Sequence, residues 1–548
     1  MKKQLLSLFA ILALNANGAW AQWQPSDTDY TIVGTDSIYG QSGLKTLHTP
    51  QGNTVITWTE RSKGVDKSQS GYYLHLQVYD KDGKAKFQKG GIIVSNKPTM
   101  SYTTDYGLSL ADNGDLVMAY FDTRNDPSKY NSQMFAYRYT QDGESVWDKE
   151  GIQLITKDTH TWIGDIGPQI VASGDYAYFG CAHNEIHMTE ADSTNWQPNP
   201  WNPNEEMPDS VEVTTTTFQL QCLNLDGTFK WAEPKVFDLS TAFLYTAPES
   251  DLYFLYANAG EGLDAQRINA EGENVWGQPV NVESESLSSG MYFATPVTES
   301  DGQGGLLLTY RKLTSYSGYI VLNRLQSDGT VYEEATNCNG STDGDGESPK
   351  LAVKDDKVLV AWEYELNNKS LMVNQFSLDG DYTWEGDSLL GYAVMENEQW
   401  GARPVSAIPQ QNGWVLLYGD CQSWNSANFY VEKIDDNGRT MWKKQIAEND
   451  FKSSGISVTY DDQYAYIFYT CDKEIDDNRE EIPGPGGLRL MVVDITDSTN
   501  GIAAPTTEQT DATQAVYYNA QGMQVNDTTL PGLYLVKQGN NVKKVIVK

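Results

Sequence analysis

A turn glycine followed by an aromatic ring recurs along this chain at a near-constant interval. It occurs as Asp82-Gly83 with Phe87, Asp142-Gly143 with Trp147, Asp226-Gly227 with Trp231, Glu271-Gly272 with Trp276, Asp379-Gly380 with Trp384 and Asn437-Gly438 with Trp442. In a further copy, Asp328-Gly329, the aromatic stands at Tyr332. The mean interval is about 59 residues, near the range of propellers, solenoids and arrays. Each copy stands between two short apolar runs, as Met134 to Tyr139 and Ile152 to Ile155 flank Gly143. Asp-Gly and Asn-Gly tolerate the positive φ that a tight hairpin demands, so each copy reads as a hairpin. The ring that follows can fold back over the end of its sheet and pack on the next one. These indoles are therefore expected to be structural.

Upstream of each turn lies an apolar run ending in an aromatic. These runs are Val55 to Trp58, Leu116 to Tyr120, Leu252 to Tyr256, Leu306 to Tyr310, Val358 to Trp362, Trp414 to Tyr418 and Tyr464 to Tyr469, with Tyr176 to Phe179 in the remaining slot. Before each comes a short strand, several opening on proline (Pro168, Pro296, Pro349, Pro404), where no ladder donor is lost. Eight such runs imply eight units of four strands, A to D in chain order, and four-stranded units at this period are propeller blades. The eighth unit runs out after its third strand, Leu488 to Ile495. Tyr30 to Val33 is like the outer strands Gly91 to Val94 and Gly151 to Leu154, so it is expected to complete the last blade and close the ring. The expectation is an all-β chain with an eight-bladed β-propeller over 22–498, seven blades being the fallback. A linker over 499–513 and a small C-terminal β-sandwich-like segment over 514–548 follow.

Residues 1–21 have the three parts of a secretory signal peptide: Lys2 and Lys3, an apolar run from Leu5 to Leu14, and Ala19-Trp20-Ala21 before Gln22. No later stretch reaches the ~18 apolar residues of a membrane span. A secreted or cell-surface protein is expected. The formal charge of −35 argues against nucleic acid or an anionic membrane surface as partner. Five cysteines, Cys181, Cys222, Cys338, Cys421 and Cys471, make no disulfide framework and contain no CxxC. Free thiols are expected, the alternative being one bridge between Cys421 and Cys471.

The Asp-Gly-x-x-x-Trp turn resembles the Asp-box hairpin of secreted sialidase-like propellers of bacteria, over Tyr30 to about Asp497. An Asp box sets one residue between its Asp and Gly, and its opening serine is absent at most copies here. The Arg-Ile-Pro segment and arginine triad of a sialidase are not matched, Arg403-Pro404 being the nearest approach. The resemblance therefore implies a fold, which hosts enzymes, lectins and scaffolds alike. The chain ends on Gly532-Leu533-Tyr534-Leu535-Val536 and Lys543-Lys544-Val545-Ile546-Val547-Lys548. That ending is similar to the type A C-terminal sorting domain of the type IX secretion pathway, which implies the type IX machinery as a partner.

Antiparallel order puts the A-to-B and C-to-D turns on one face, and the B-to-C loops and D-to-A crossings on the other. The long, dissimilar segments fall on the second face: Arg61 to Gly71, Asp122 to Asn131, Ala182 to Thr217, Asp420 to Asn428 and Asp472 to Gly487. Loops that vary on a repeating scaffold carry function, so this loop face is the candidate binding surface. Trp162, Trp196, Trp201, Trp400 and Trp424 lie on it outside the repeat pattern, with Arg124 as a polar partner beside Asp122 and Asp165. Indoles beside Asn, Asp and Gln suit the faces and hydroxyl rims of sugars, and equally the anchoring of each loop to the ring. His183-x-Glu185-x-His187 puts three metal-ligating side chains on one face if the strand continues. Asp343-Gly344-Asp345-Gly346-Glu347 clusters oxygen donors but lacks the twelve-residue calcium pattern. Neither implies a metal, and no cofactor is implied. No Gly-x-Ser-x-Gly, phosphate loop or His-Glu-x-x-His is present. The leading expectation is a non-catalytic propeller that binds a glycan or an extracellular protein. The competing one is a glycoside hydrolase or lyase with an acid and a base at the channel mouth.

Overall fold

The computed structural model describes residues 23, 25–26, 29–35, 41–62, 71–99, 106–125, 131–154, 159–160, 167–198, 206–257, 262–284, 288–289, 292–293, 296–313, 318–332, 334–338, 345–365, 369–384, 392–397, 401–423, 426–451, 455–471, 487–496, 516–518, 524–525, 532–538 and 541–547. The chain divides into two compact units, Met1–Asp497 and Ser498–Lys548. The first is an eight-bladed β-propeller of antiparallel sheets.

In strand order A to D, blade 1 is Gln41–His48, Thr54–Ser62, Gly71–Tyr79 and Ile92–Ile93, and blade 2 is Tyr106–Leu110, Leu116–Asp122, Asn131–Tyr139 and Ile152–Gln153. Blade 3 is Gln169–Ser173, Tyr176–Glu190, Ser210–Asn224 and Lys235–Phe237, and blade 4 is Ala242–Thr246, Leu252–Ala257, Leu263–Ile268 and Val280–Glu283. Blade 5 is Val297–Ser300, Leu306–Leu313, Gly318–Leu325 and Thr336–Asn337, and blade 6 is Asp345–Lys354, Lys357–Glu365, Lys369–Ser377 and Tyr392–Asn397. Blade 7 is Ala402–Gln410, Gly413–Ser423, Ser426–Ile434 and Thr440–Phe451. Blade 8 takes strands A to C from Ile456–Tyr460, Tyr464–Cys471 and Gly487–Asp494, and its strand D is Thr31–Ile32, paired in register with Leu490 and Arg489. The N-terminal strand thus closes the ring, as the sequence led us to expect.

Strand B of each blade lies between two neighbouring blades and is apolar on both faces, so it reads as a continuous run. Leu116–Asp122 is buried along its whole length. Its Leu116, Met118 and Tyr120 pack with Val55, Leu74 and Val78 of blade 1, and its Val117, Ala119 and Phe121 with Ala177, Phe179 and Leu223 of blade 3. Among the described residues eight such clusters occur, one at each blade interface, including one between blades 8 and 1. A ring of eight blades has eight interfaces, which excludes the seven-blade fallback.

The recurrent hairpin is a three-residue loop: a type I turn closed by a glycine at positive φ. In blade 3 the Gly227 amide donates to the Asn224 carbonyl and the Asn224 amide to the Thr228 carbonyl, with Gly227 at φ +92°. A polar side chain three residues before the glycine braces several of these turns; Asp80 Oδ1 accepts from the amides of Asp82 and Lys84, and Asn269 and Asp435 repeat the pattern. The ring of one blade then lies on the turn glycine of the next. Trp147 Nε1 donates to the Leu225 carbonyl (3.0 Å), Trp231 to Ala270 (2.8 Å), Trp276 to Ser327 (3.1 Å) and Trp384 to Asp436 (2.9 Å), each acceptor two residues before a turn glycine. The Tyr332 hydroxyl does the same to Leu378.

Trp23 supplies the eighth ring. It stands before the closing strand as the other rings stand before strand D, and packs on Gly83, on Tyr466 at 4.8 Å and on Tyr79 at 5.7 Å. At the opposite side of that blade there is no turn glycine among the described residues, and there the buried Trp442 indole N–H meets no described acceptor. Pro168 and Pro296 immediately precede their strands, whereas Pro349 and Pro404 lie inside theirs, at register shifts between Glu347 and Lys350 and between Pro404 and Ser406.

In the second unit, Gln524–Val525, Val516–Tyr518, Gly532–Gln538 and Asn541–Val547 form one four-stranded antiparallel sheet in that order. No helix among the described residues is long and apolar enough to cross a membrane.

Candidate functional site

Among the described residues, the loop face is dominated by an arm from blade 3. Its strands B and C pair without interruption from Tyr176↔Asn224 to Glu190↔Ser210, while strand A leaves the sheet at Gly180 and strand D at Phe218. The segment read from sequence as a loop, Ala182 to Thr217, is therefore mainly a β-hairpin projecting past the blade. The largely β-branched run Val211 to Thr217, which sits opposite the His183 to Thr189 stretch, favours a strand but reads equally as a polar loop. Beyond Asn184 the arm is largely exposed, with Met188 at 63% and Met207 at 51%. At its tip Asp192 Oδ1 accepts from the Thr194 amide (2.8 Å) and hydroxyl (2.5 Å) and from the Asn195 amide (3.2 Å). These bonds hold the Asp192 carboxyl below its ordinary value, the Thr194 hydroxyl contributing most. The Trp196 amide donates to the Asp192 carbonyl at 3.0 Å, and the residue is half-buried. His183, Glu185 and His187 do share one face of the strand, with His183 buried and the other two exposed. No group of three metal-ligating side chains that could hold an ion occurs among the described residues.

Arg124 lies at the end of strand B in blade 2. Its Nε donates to Asp122 Oδ1 and Oδ2 at 2.9 and 3.0 Å, Nη2 to Asp122 Oδ2 at 2.6 Å and to the Tyr137 hydroxyl at 2.8 Å, and Nη1 to the Glu150 carbonyl at 2.5 Å. The guanidinium also stacks on Phe135, 3.7 Å from the ring centre. Burial pushes the Asp122 carboxyl above its ordinary value, against the pull of Arg124. The arginine thus braces blade 2 internally, and it is not brought into contact with Trp196. Trp162, Trp201, Trp400, Trp424 and Asp165 lie outside the described residues. Of the acidic run at 343–347, Asp345 is held by Arg311 Nη2 at 2.7 and 2.8 Å, so its carboxylate is spent on blade 5.

Two features escaped the sequence. The first is a cavity of about 230 Å³ on the loop face among blades 6, 7 and 8. Strands A of blades 6 and 7 supply Ser348 and Lys350, and Arg403 and Val405; Phe429 and Ile456 form further wall. Both strands bulge here, and Ser348 takes φ +52°. Bulges re-aim side chains and gather at functional sites. Lys350 meets no acceptor among the described residues, and desolvation lowers its pKa. Arg403 Nε lies 3.3 Å from Glu363 Oε2. A proline beside each cation, Pro349 and Pro404, was the available signal. A larger hollow of about 720 Å³ opens on the opposite face, but its Lys354 is already bound to Asp436 at 2.5 Å.

The second feature is Glu299, in the inner strand of blade 5. Its surface area is exposed, yet desolvation pushes its carboxyl up to about 7. Glu299 thus keeps accessible surface while the surrounding protein desolvates its carboxyl. Burial, and then the charge of Glu299, push the Tyr460 phenol of blade 8 up to about 12. The five cysteines are free and buried, and no Cys421–Cys471 bridge forms.

No protein-family model matches the chain, and a search of curated proteins finds no match. Solved structures do resemble it. A polysaccharide lyase of family PL25, an ulvan lyase bound to a -[GlcA(1-4)Rha3S]- fragment, shares 11% identity over 75% of this chain and 97% of its own, with a TM-score of 0.39. A puromycin-hydrolysing peptidase of Mycobacterium tuberculosis shares 12% over 82% of this chain and 62% of its own, with a TM-score of 0.40. A Dyadobacter fermentans protein of unknown function shares 11% over 71% and 93%, with a TM-score of 0.34.

Proposed function

We propose that this chain is an exported, non-catalytic binding propeller that engages a glycan or an extracellular protein through its loop face. The observation that carries the reading is the blade 3 arm, a paired hairpin that leaves its sheet, carries Trp196 in a braced turn and exposes Met188 and Met207. An indole with one wet edge and an apolar body is suited to recognition. Burial pushes the thiols of Cys181, Cys222 and Cys338 up and away from the reactive thiolate, which removes these three as nucleophiles. Export by the type IX route is proposed from the leader-like N-terminus and the basic, apolar final strand. The test is binding of the leader-processed chain to a glycan array and to a panel of extracellular proteins, beside W196A. Loss of a bound ligand in the variant is expected. A ligand bound equally well by W196A would remove the arm from the site.

The alternative, a polysaccharide-acting enzyme with a channel-mouth site, is favoured by Glu299, whose carboxyl titrates where a general acid works. Turnover of any polysaccharide that E299Q abolishes would establish it.

A further inference from the structure

We propose that the loop-face cavity among blades 6, 7 and 8 captures the C-terminal residue of a polypeptide, its carboxylate on Lys350 and Arg403 and its apolar side chain against Val405, Phe429 and Ile456. The inference rests on the binding reading above and names the chemistry of one ligand. In a chain of net charge −35, two cations line one cavity of about 230 Å³. Arg403 has its Nε 3.3 Å from Glu363 Oε2, makes no hydrogen bond to a described residue, and keeps 42% of its side chain exposed. Lys350 has no acceptor among the described residues, and its ammonium is partly stripped of water. Lys350 carries the cost of desolvation without a described acceptor, and an anion bound between it and the accessible Arg403 guanidinium relieves that cost. A planar carboxylate fits the guanidinium fork, with the ammonium as a second point charge.

The remaining wall selects among carboxylates. The volume lies below the ~300 Å³ at which drug-sized pockets begin, so it takes about one residue. Besides the cations, its side chains offer one hydroxyl, Ser348, and one buried thiol, Cys421; the rest is hydrocarbon. An acidic sugar would bring hydroxyls around its ring and leave most of them unpaired, at a cost per group. An inorganic anion would leave the apolar wall unfilled. A chain-terminal residue carries a carboxylate and an apolar side chain on one carbon, and meets both halves of the cavity. The bulges at Ser348-Pro349 and at Val405 turn Lys350 and Val405 into the same space, which a regular pair of strands would not do.

The experiment is calorimetric titration of the full chain with N-acetyl-Ala-Ala-Phe as free acid, with its C-terminal amide, and with glucuronate. The free acid is expected to bind at least tenfold more tightly than the amide. K350M and R403Q should each weaken the acid tenfold or more with an unchanged melting temperature. Equal binding of acid and amide, or binding of neither, overturns the proposal, and it needs no variant to be read. Glucuronate binding without the peptide also overturns it and assigns the cavity to acidic sugars. W196A separates the two readings: a partner lost in W196A while the peptide acid fails to bind sinks the cavity alone. Peptide acid bound normally by W196A upholds the cavity and counts against the arm.

Discussion

The repeated turn was found through its Asp-Gly pair, but the two residues do unequal work. Gly227 stands at φ +92°, where a Cβ would lie 3.0 Å from Cδ1 of Trp147. Asp226 is exposed and, among the described residues, bonds only the nearby Thr228. G227A is therefore expected to cost about 1–3 kcal/mol, from an unfavourable backbone and a displaced indole. D226A should cost below about 1 kcal/mol. Urea midpoints of the two variants check this, and equal losses would refute the account. Glu299 gives a pH signature at the same scale. Its folded carboxyl titrates at about 7, against 4.5 ordinarily. Between those values the folded chain binds more protons here than the unfolded chain, so stability falls as pH rises through that window. The contribution is whole below 4.5 and gone above about 7. E299Q should flatten the decline in melting temperature from about pH 5 to about pH 7.5. A variant with the slope of the parent would place Glu299 in bulk water.

At the scale of strands, legibility followed burial. Strands B, apolar on both faces, and the glycine turns were readable because burial and backbone geometry constrain their residue types directly. The arm was not readable as strand, because exposed hairpins need no apolar alternation, and Thr214 to Thr217 with His183 to His187 reads equally as polar loop. Lys350 and Arg403 were missed for a different reason. A bulge changes which way a side chain faces, and only the register shift at Pro349 or Pro404 reveals it. Since the arm past Asn184 makes no interface cluster, it should be dispensable to the ring. Replacing Glu185–Thr215 by Asn-Gly is expected to shift the melting temperature by less than ~3 °C. A fall beyond ~8 °C would show that the arm holds blades together.

The whole molecule is a ring whose weakest joint can be located from chain connectivity. In seven blades strand D is joined to strand C through the same chain segment, whereas in blade 8 it arrives from the N-terminus and contributes the pairs Thr31↔Leu490 and Ile32↔Arg489. Trp23, buried against Gly83, Tyr79 and Tyr466, reinforces that joint. Opening should therefore begin between blades 8 and 1 and spread to the interfaces beside it. The buried thiols report this, because Cys421 and Cys471 lie in the cluster between blades 7 and 8, Cys181 between blades 2 and 3, Cys222 between 3 and 4, and Cys338 between 5 and 6. Trp23→Ala should cost about 3–5 kcal/mol at the joint. In pulsed alkylation read by mass spectrometry, all five thiols of the parent chain should react together, on global unfolding. In W23A, Cys421 and Cys471 should react before Cys181, Cys222 and Cys338. If the five thiols of W23A still react at one common rate, the ring opens as a single unit and the N-terminal joint is no weaker than the rest.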